Sequence, residues 1–543
     1  MEMRNVKMKA IDLIIHNAQI YTLDPSRPQA EAVAVRDGKI LAVGSLAEIM
    51  ALDGAKTADS FDLKGGTLVP GLNDAHTHLA QWSMSLQEVD LVGVRSLEAA
   101  LELVRQRAAV MPPGSWILGA GWDQNYWGGL PDRQALDRVA PGHPVALDSK
   151  DHHLVWANSR AIELAKVTAQ TADPAGGEIV RDEQGEPSGV FKETAVGLIM
   201  RHVAKPAPAE WDAIMEQALP VAHRAGLTAV HTIEPAAGFA VLQRLHQRGK
   251  LTLRANVLLM NPVIGELAEV GIQQNFGDAV LKLGQIKFFL DGTLGSQTAA
   301  LFEPYNDDLE GRPNNTGLLR MEREDFLRQV QAAVAAGFGI AVHVIGDRAA
   351  WLGLEAIAEA RRADPTGNLR HRLEHVQLLR RQDLSRFTEL GVIASVQPTH
   401  ATTDRDHADR YWGEERLTRS GYGYAYKSLL QSGARVALGS DAPVERIDPL
   451  KGIYAAVARK REGEDRPAWL PQERLSVEEA LRGFTEGPAF AAHDEQRRGQ
   501  IVPGFLADFT ALGQDLFAIA EDDLPKIPVV ATFVGGQPVW SEL

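Results

Sequence analysis

Hydrophobic and polar positions fall into two regimes along the chain. Near the start, "IDLIIHNAQIYTLD" (11–24) and "AVAVRDGKILAVG" (32–44) carry β-rich runs. The Asp37-Gly38 dipeptide between apolar runs is a hairpin signal. The end repeats this texture in "IVPGFLADFTALG" (501–513) and "PVVATFVGGQPVW" (528–540), where Gly and Pro break short apolar runs. The middle instead alternates apolar runs with helical patterns of Ala, Leu, Glu and Arg. The apolar runs lie at 66–71, 144–149, 226–233, 284–290, 338–344, 369–376, 391–397 and 434–440. Strands covered on both faces read this way. Eight of them joined by helices predict an α/β fold, a (β/α)8 TIM barrel. A doubly wound sheet is the rival, but no Gly-rich phosphate turn follows an early strand. The expected organisation is a small β-sandwich domain built from both chain ends, 1–66 and 495–543, around a barrel at 67–494. Stretches near 80–140 and 150–215 exceed ordinary loops and are expected to be insertions covering one end of the barrel.

Composition narrows the chemistry. At 543 residues the chain is longer than a single core of roughly 250–300 residues. A net charge of −15 argues against nucleic acid and against an anionic membrane surface. There is no cysteine, so any metal must be held by His, Asp, Glu or a modified Lys. No apolar stretch reaches the length of a membrane span, and the first residues lack a long apolar run with a cleavage site. The expectation is a cytoplasmic protein with a small-molecule substrate and no membrane or nucleic-acid partner. A homodimer is the prior for its assembly.

The candidate chemistry sits at predicted strand ends. In "GLNDAHTH" (71–78), His76 and His78 are two residues apart, and in extended chain such residues point the same way. Neutral imidazoles ligate zinc and similar ions. Two loop histidines in ordinary hydrogen bonds are the alternative. His343 ends "GIAVHV", His375 ends "RHRLEH", Asp441 follows "ARVALGS", and Lys287 lies inside "QIKFFLDG". Each has a bland explanation too. Taken alone, His343 reads better as a core histidine, His375 could belong to a polar cluster with Arg372 and Glu374, and Asp441 could cap a following helix. Coincidence accounts poorly for all of them on successive strands. A buried Lys287 would have a lowered pKa, and a neutral amine can add carbon dioxide to give a carbamate able to bridge two cations. A salt bridge with Asp291 explains the lysine equally well. Lys192, in "SGVFKETA", is a weaker rival for the same role.

The order His-x-His, Lys, His, His, Asp resembles the amidohydrolase superfamily. The segments "GWDQNYW", "HHLVWANSRA", "GVFKETA", "KFFLDGTLGSQTA", "VHVIGDRA", "RLEHVQ" and "GSDAPV" are similar to its branch containing N-substituted formamide deformylases. The resemblance covers most of the chain. It implies a metal-dependent hydrolase with His76, His78, Lys287, His343, His375 and Asp441 as metal ligands, and with Lys287 carboxylated if two ions bind. The cofactor would be zinc, as one or two divalent ions. The implied reaction is cleavage of a C–N bond in an N-substituted amide, formamide or N-acyl compound by metal-activated water. Asp441 would shuttle the proton, and His343 or His375 would stabilise the oxyanion.

Candidate substrate contacts are Trp122 in the aromatic loop "GAGWDQNYWGGLPDR", His153 in "HHLVWANS", Asp291 after Lys287, and His400 in "QPTHATTD". Asp291 reads alternatively as a residue that shapes its turn or orients a ligand. Two further functions remain open. One is a lyase using Lys287 as a Schiff-base nucleophile, which leaves the histidines unexplained. The other is a non-catalytic binding barrel with a structural metal.

Overall fold

The computed structural model describes residues 10–543 except 123, 150–153, 175–176, 204–205, 309–312 and 365–366. The chain divides into two compact units, Met1–Ala80 with Glu216–Leu543, and Gln81–Met215.

The first unit holds an eight-stranded sheet whose strands are parallel and follow one another in chain order. They are β1 (Leu72–Thr77), β2 (Leu227–Glu234), β3 (Arg254–Met260), β4 (Leu281–Phe289), β5 (Ile340–Val344), β6 (Arg372–His375), β7 (Ile393–Val396) and β8 (Arg435–Leu438). The two edges meet through a bridge between Thr77 and Ala442 and a 2.7 Å hydrogen bond from the Asp441 N–H to the His76 carbonyl. The sheet is thereby a nearly closed barrel of the TIM type. The connecting helices show why the sequence folds this way. Arg323–Ala335, between β4 and β5, buries Phe326, Val330, Ala333 and Val334, an i, i+4, i+7, i+8 stripe.

The seam between β1 and β8 depends on one glycine. A Cβ on Gly439 would lie 2.6 Å from the His76 nitrogen and 2.7 Å from Asp74 Oδ1. With no side chain there, the Asp74 carboxylate reaches both the His76 N–H (3.0 Å) and the Ser440 N–H (2.9 Å) and ties β1 to the segment after β8.

Strands from both chain ends form two further sheets. One has the order Lys39–Gly44, Ala32–Arg36, Leu13–His16, Asp59–Asp62. The other runs Gln537–Ser541, Val529–Val534, Phe509–Leu512, Thr67–Pro70, Gln19–Tyr21, Gln29–Ala30. Alternation along Ala32–Arg36 sends Val33 and Val35 into a core with Ile15, Phe509 and Phe533, while Ala32 and Ala34 face Ile14 and Ile49. Asp37 and Gly38 both have positive φ, +51° and +71°, as a two-residue hairpin turn requires. These sheets lie in the same compact unit as the barrel.

Two expected barrel strands are displaced. Residues 67–70 of the first apolar run pair with Phe509–Leu512 in the terminal sheet, and the barrel strand begins after Gly71. The run at 144–149 belongs to the second unit, whose six-stranded sheet has the order Gly177–Arg181, Pro187–Glu193, Leu154–Ala157, Val145–Ser149, Ile117–Trp122, Val89–Asp90. There Val145 and Leu147 pack into one apolar cluster and Ala146 into another, so both faces are covered as in a barrel strand. Its place in the barrel is taken by β3. That strand starts with Arg254, whose guanidinium pairs with both oxygens of Asp508 (2.7 and 2.8 Å). The two long stretches expected as separate insertions form one unit. Among the described residues, no helix is long and apolar enough to cross a membrane.

Candidate metal centre

The C-terminal ends of the barrel strands gather a group of buried titratable side chains. β1 delivers His76, with His78 just beyond it. β5 and β6 deliver His343 and His375. His400 sits in the short helix Pro398–Thr403 after β7, and Asp441 lies just beyond β8. Asp441 and His375 both occupy the left-handed region, with φ of +65° and +73°. That conformation is costly for a non-glycine residue and is concentrated at functional sites.

Asp441 stands at the centre. Its Oδ1 lies 3.3 Å from His76 Nε2 and 3.2 Å from His78 Nε2, and its Oδ2 lies 3.6 Å from His400 Nε2. Burial alone would raise its pKa, but the neighbouring imidazoles His76 and His78 outweigh burial and hold it well below the usual aspartate range. Two groups of donor atoms result, His76/His78/Asp441 and His375/His400/Asp441, each with all atoms within 4.8 Å of one another. Asp441 is common to both.

A cation suits this donor set. His76 Nδ1 lies 2.6 Å from Glu374 Oε2. A carboxylate only accepts, so Nδ1 carries a proton and Nε2 is the nitrogen turned toward Asp441. His76 Nε2 and His375 Nδ1 are buried without a hydrogen-bond partner. Buried polar atoms normally have one, and a cation would satisfy open imidazole nitrogens and the Asp441 carboxylate together. Burial and Lys287 oppose a charge on His76, but Glu374 and Asp441 prevail and raise its pKa. Positive charge is thus favoured at this point of the barrel. His375 has ring centroids 4.5, 4.8 and 5.8 Å from those of His343, His76 and His400. Burial, His343 and His76 keep it neutral, with its pKa well below the usual value.

Lys287 and His343 belong to neither group, although Lys287 acts on His76 and the His343 ring lies beside that of His375. Lys287, on β4, is fully buried. Its Nζ has no hydrogen-bond partner and lies 4.8 Å from the Phe289 ring centroid. Burial brings its pKa down to about 8. The alternative salt bridge with Asp291 is not formed. Asp291 instead accepts from the N–H groups of Ala300 (3.0 Å), Ile345 (3.1 Å) and Gly346 (2.9 Å). It therefore fastens the turn after β4 to the turn after β5, and burial raises its pKa to about 7. His343 Nε2 donates to the Gly292 carbonyl at 3.0 Å, and burial takes its pKa down to about 3. Lys192 lies in the second unit and pairs with Glu178 at 2.9 Å.

Sequence reading named Glu374 and Arg372 only as neighbours of His375, but they form the support for His76. The Arg372 guanidinium is fully buried. It pairs with Glu374 and donates to Ser395 Oγ (2.6 Å), the Ala75 carbonyl (2.5 Å) and His231 Nδ1 (2.9 Å). Two charged residues two apart in a strand, Arg372 and Glu374, were the available signal. Asp74 carried none.

The expected substrate contacts fare unequally. Trp122 is fully buried, donates its indole N–H to the Leu147 carbonyl (2.8 Å) and packs against Trp127 and Trp156 in the core of the second unit. It is a packing residue there, because strand residues 117–122 turn this side chain inward. His153 lies outside the described residues. Asp291 spends its carboxylate on backbone N–H groups, and His400 joins the Asp441 cluster.

Comparison with known proteins identifies the family. Residues 59–540 match the model described as the amidohydrolase family. The chain is 34% identical to Protein LONG AFTER FAR-RED 3 of Arabidopsis thaliana, over 97% of this chain and 91% of that one. It is 29% identical to an N-substituted formamide deformylase of Arthrobacter pascens, over 97% of each. An uncharacterised metal-dependent hydrolase of Pyrococcus furiosus superimposes with a TM-score of 0.76 at 28% identity, covering 93% of this chain and 99% of that one.

Proposed function

From the premise that the chain belongs to the amidohydrolase family and is therefore a hydrolase, we propose that it cleaves a C–N bond of an N-substituted amide, formamide or N-acyl compound with the help of bound divalent metal. The observation that carries this reading is the Asp441 carboxylate shared between His76/His78 and His375/His400. The similarity to a formamide deformylase over 97% of both chains supports the substrate class.

His76, His78, His375 and Asp441 would hold the metal, with imidazole and carboxylate donors suited to zinc. A bound divalent ion supplies an acidified water and a polarised carbonyl. The chain's own residues do the rest. Asp441 is held ionised, so it accepts a proton, and its low pKa lets it pass that proton on to the leaving amine. Glu374 keeps His76 in the tautomer whose Nε2 faces the centre. Lys287, unpartnered and with a pKa near 8, has a neutral fraction at neutral pH. Its amine can add carbon dioxide and release a proton to give a carbamate, which would enlarge the donor set for a second ion. The same free amine suits imine formation with a carbonyl substrate, the second reading.

One experiment separates these readings. Metal content of the purified protein is measured and turnover is screened over formamides, N-acyl amino acids, aryl amides and cyclic amides, with and without chelator. Metal at one or two equivalents, with amide turnover lost on chelation and restored on metal addition, is expected. Metal-free turnover trapped by borohydride would overturn the hydrolase reading in favour of the imine.

A further inference from the structure

His400 belongs by distance to the His375/His400/Asp441 group, yet its surroundings specify a different job. Its Nδ1 lies 3.3 Å from Gln377 Nε2. The orientation of that amide is fixed by its other neighbours. Gln377 Nε2 is also 3.2 Å from Asp404 Oδ2, and its Oε1 is 3.2 Å from the Tyr424 hydroxyl. The Tyr424 hydroxyl itself lies 2.9 Å from Asp404 Oδ2. Turning the amide over would set its oxygen against the Asp404 carboxylate, two acceptors facing each other with no proton between them. The amide nitrogen therefore faces both Asp404 and His400. An amide N–H only donates, so His400 Nδ1 accepts. In neutral imidazole one nitrogen accepts and the other carries the proton, which places the His400 proton on Nε2.

That Nε2 is buried, has no hydrogen-bond partner and stands 3.6 Å from Asp441 Oδ2. The separation is too long for a made hydrogen bond. A metal ligand needs a lone pair at Nε2, which this network denies. We infer that His400 is not a ligand of the metal centre but a hydrogen-bond donor beside it. Gln377, Asp404 and Tyr424 set its tautomer, and its free N–H awaits an oxygen placed over Asp441, the carbonyl oxygen of a bound substrate as it gains negative charge. Its ring lies nearly parallel to that of His375, at 16° between planes and 5.8 Å between centroids. The inference rests on the hydrolase reading for the identity of that oxygen; the tautomer assignment does not.

The test uses the full-length protein. Selective 15N labelling of histidine, with the His400 signals identified by their loss in H400Q, reads the tautomer directly at neutral pH in chelator-treated protein. An Nε2-protonated neutral ring is expected, and an Nδ1-protonated ring would overturn the inference. Metal content is then compared among wild type, H400Q and H400F. Both variants are expected to keep the wild-type stoichiometry, and loss of one equivalent in either would overturn the inference. With an amide substrate, kcat should fall about 100-fold or more in H400F. H400Q, whose side-chain N–H falls near the Nε2 position, should recover part of the loss. Equal kcat in H400F and wild type would also overturn it. If the wild-type protein holds no metal and turns over no amide, the hydrolase reading fails, while the nitrogen spectrum still decides the tautomer.

Discussion

At the scale of single residues, Asp441 is the side chain on which the others converge. Its Oδ1 approaches His76 and His78 at nearly equal distance, and its backbone N–H closes the barrel seam onto the His76 carbonyl. Asp441→Asn keeps the shape and one acceptor oxygen but removes the charge and the proton shuttle. kcat should fall by about 10²–10⁴-fold, with KM changed far less and part of the metal retained, as metal analysis beside steady-state kinetics would record. A variant with undiminished kcat removes Asp441 from the reaction. His76, His78, His375 and Asp441 were legible in the sequence because each ends or follows an apolar run, and the structure brings them together. Glu374, Gln377 and Tyr424 were not assigned roles, because a side chain that holds another in place leaves no spacing of its own. Trp122 was misread because an aromatic residue in a Gly-rich segment looks the same whether it turns out to a pocket or into a core.

At the scale of elements, β2 anchors the chain on both sides of His78. The Thr77 hydroxyl donates to the His231 carbonyl at 3.0 Å, the Leu79 N–H donates to Thr232 Oγ1 at 2.8 Å, and the Ala80 N–H donates to Glu234 Oε1 at 3.0 Å. Glu234 is fully buried, and its pKa is raised to about 7 by burial. A carboxyl group whose folded pKa lies above its unfolded value, ordinarily about 4.3, costs nothing below that value. The unfolded chain releases the proton first as pH rises, so stability falls between about pH 4.5 and 7 and levels off above. The full cost is on the order of 3 kcal/mol. Glu234→Gln removes the titration and keeps an acceptor for Ala80 and Thr232. Its melting temperature relative to wild type should therefore rise from pH 5 to pH 8, and a constant difference across that range would show that Glu234 is not held protonated. The barrel strands themselves were legible wherever a continuous apolar run met a turn. They were missed at β3, where Arg254, paired with Asp508, and the buried Asn256 interrupt the run. They were misplaced at 144–149, because a strand of an inserted sheet with both faces covered has the same pattern as a barrel strand.

At the scale of the molecule, the described groups of the candidate centre all lie in one of the two compact units. They join the ends of β1, β6 and β8, which are far apart in sequence; β1 and β8 meet at the barrel seam, and β7 lies between β8 and β6. A cation held there acts as a cross-link present only in the folded state. Metal at 100 times its dissociation constant stabilises the native form by about 2.7 kcal/mol. That gain is felt by opening reactions that break the site and not by those that leave it intact. Hydrogen exchange followed by mass spectrometry, on chelator-treated protein with and without added zinc, reads the distribution. Slower exchange is expected in peptides covering β1, β6 and the segment after β8, which share the donor atoms. Peptides from the sheet of the second unit, between residues 89 and 193, carry none of these donors and should exchange at unchanged rates. Protection confined to that second sheet, or absent from all three barrel segments, would place the metal elsewhere, and the shared role of Asp441 would fall with it. Protection at β6 without β1 would instead assign the first ion to His375 and Asp441 and leave the His76/His78 pair for a second, so the same measurement ranks the two halves of the centre by affinity.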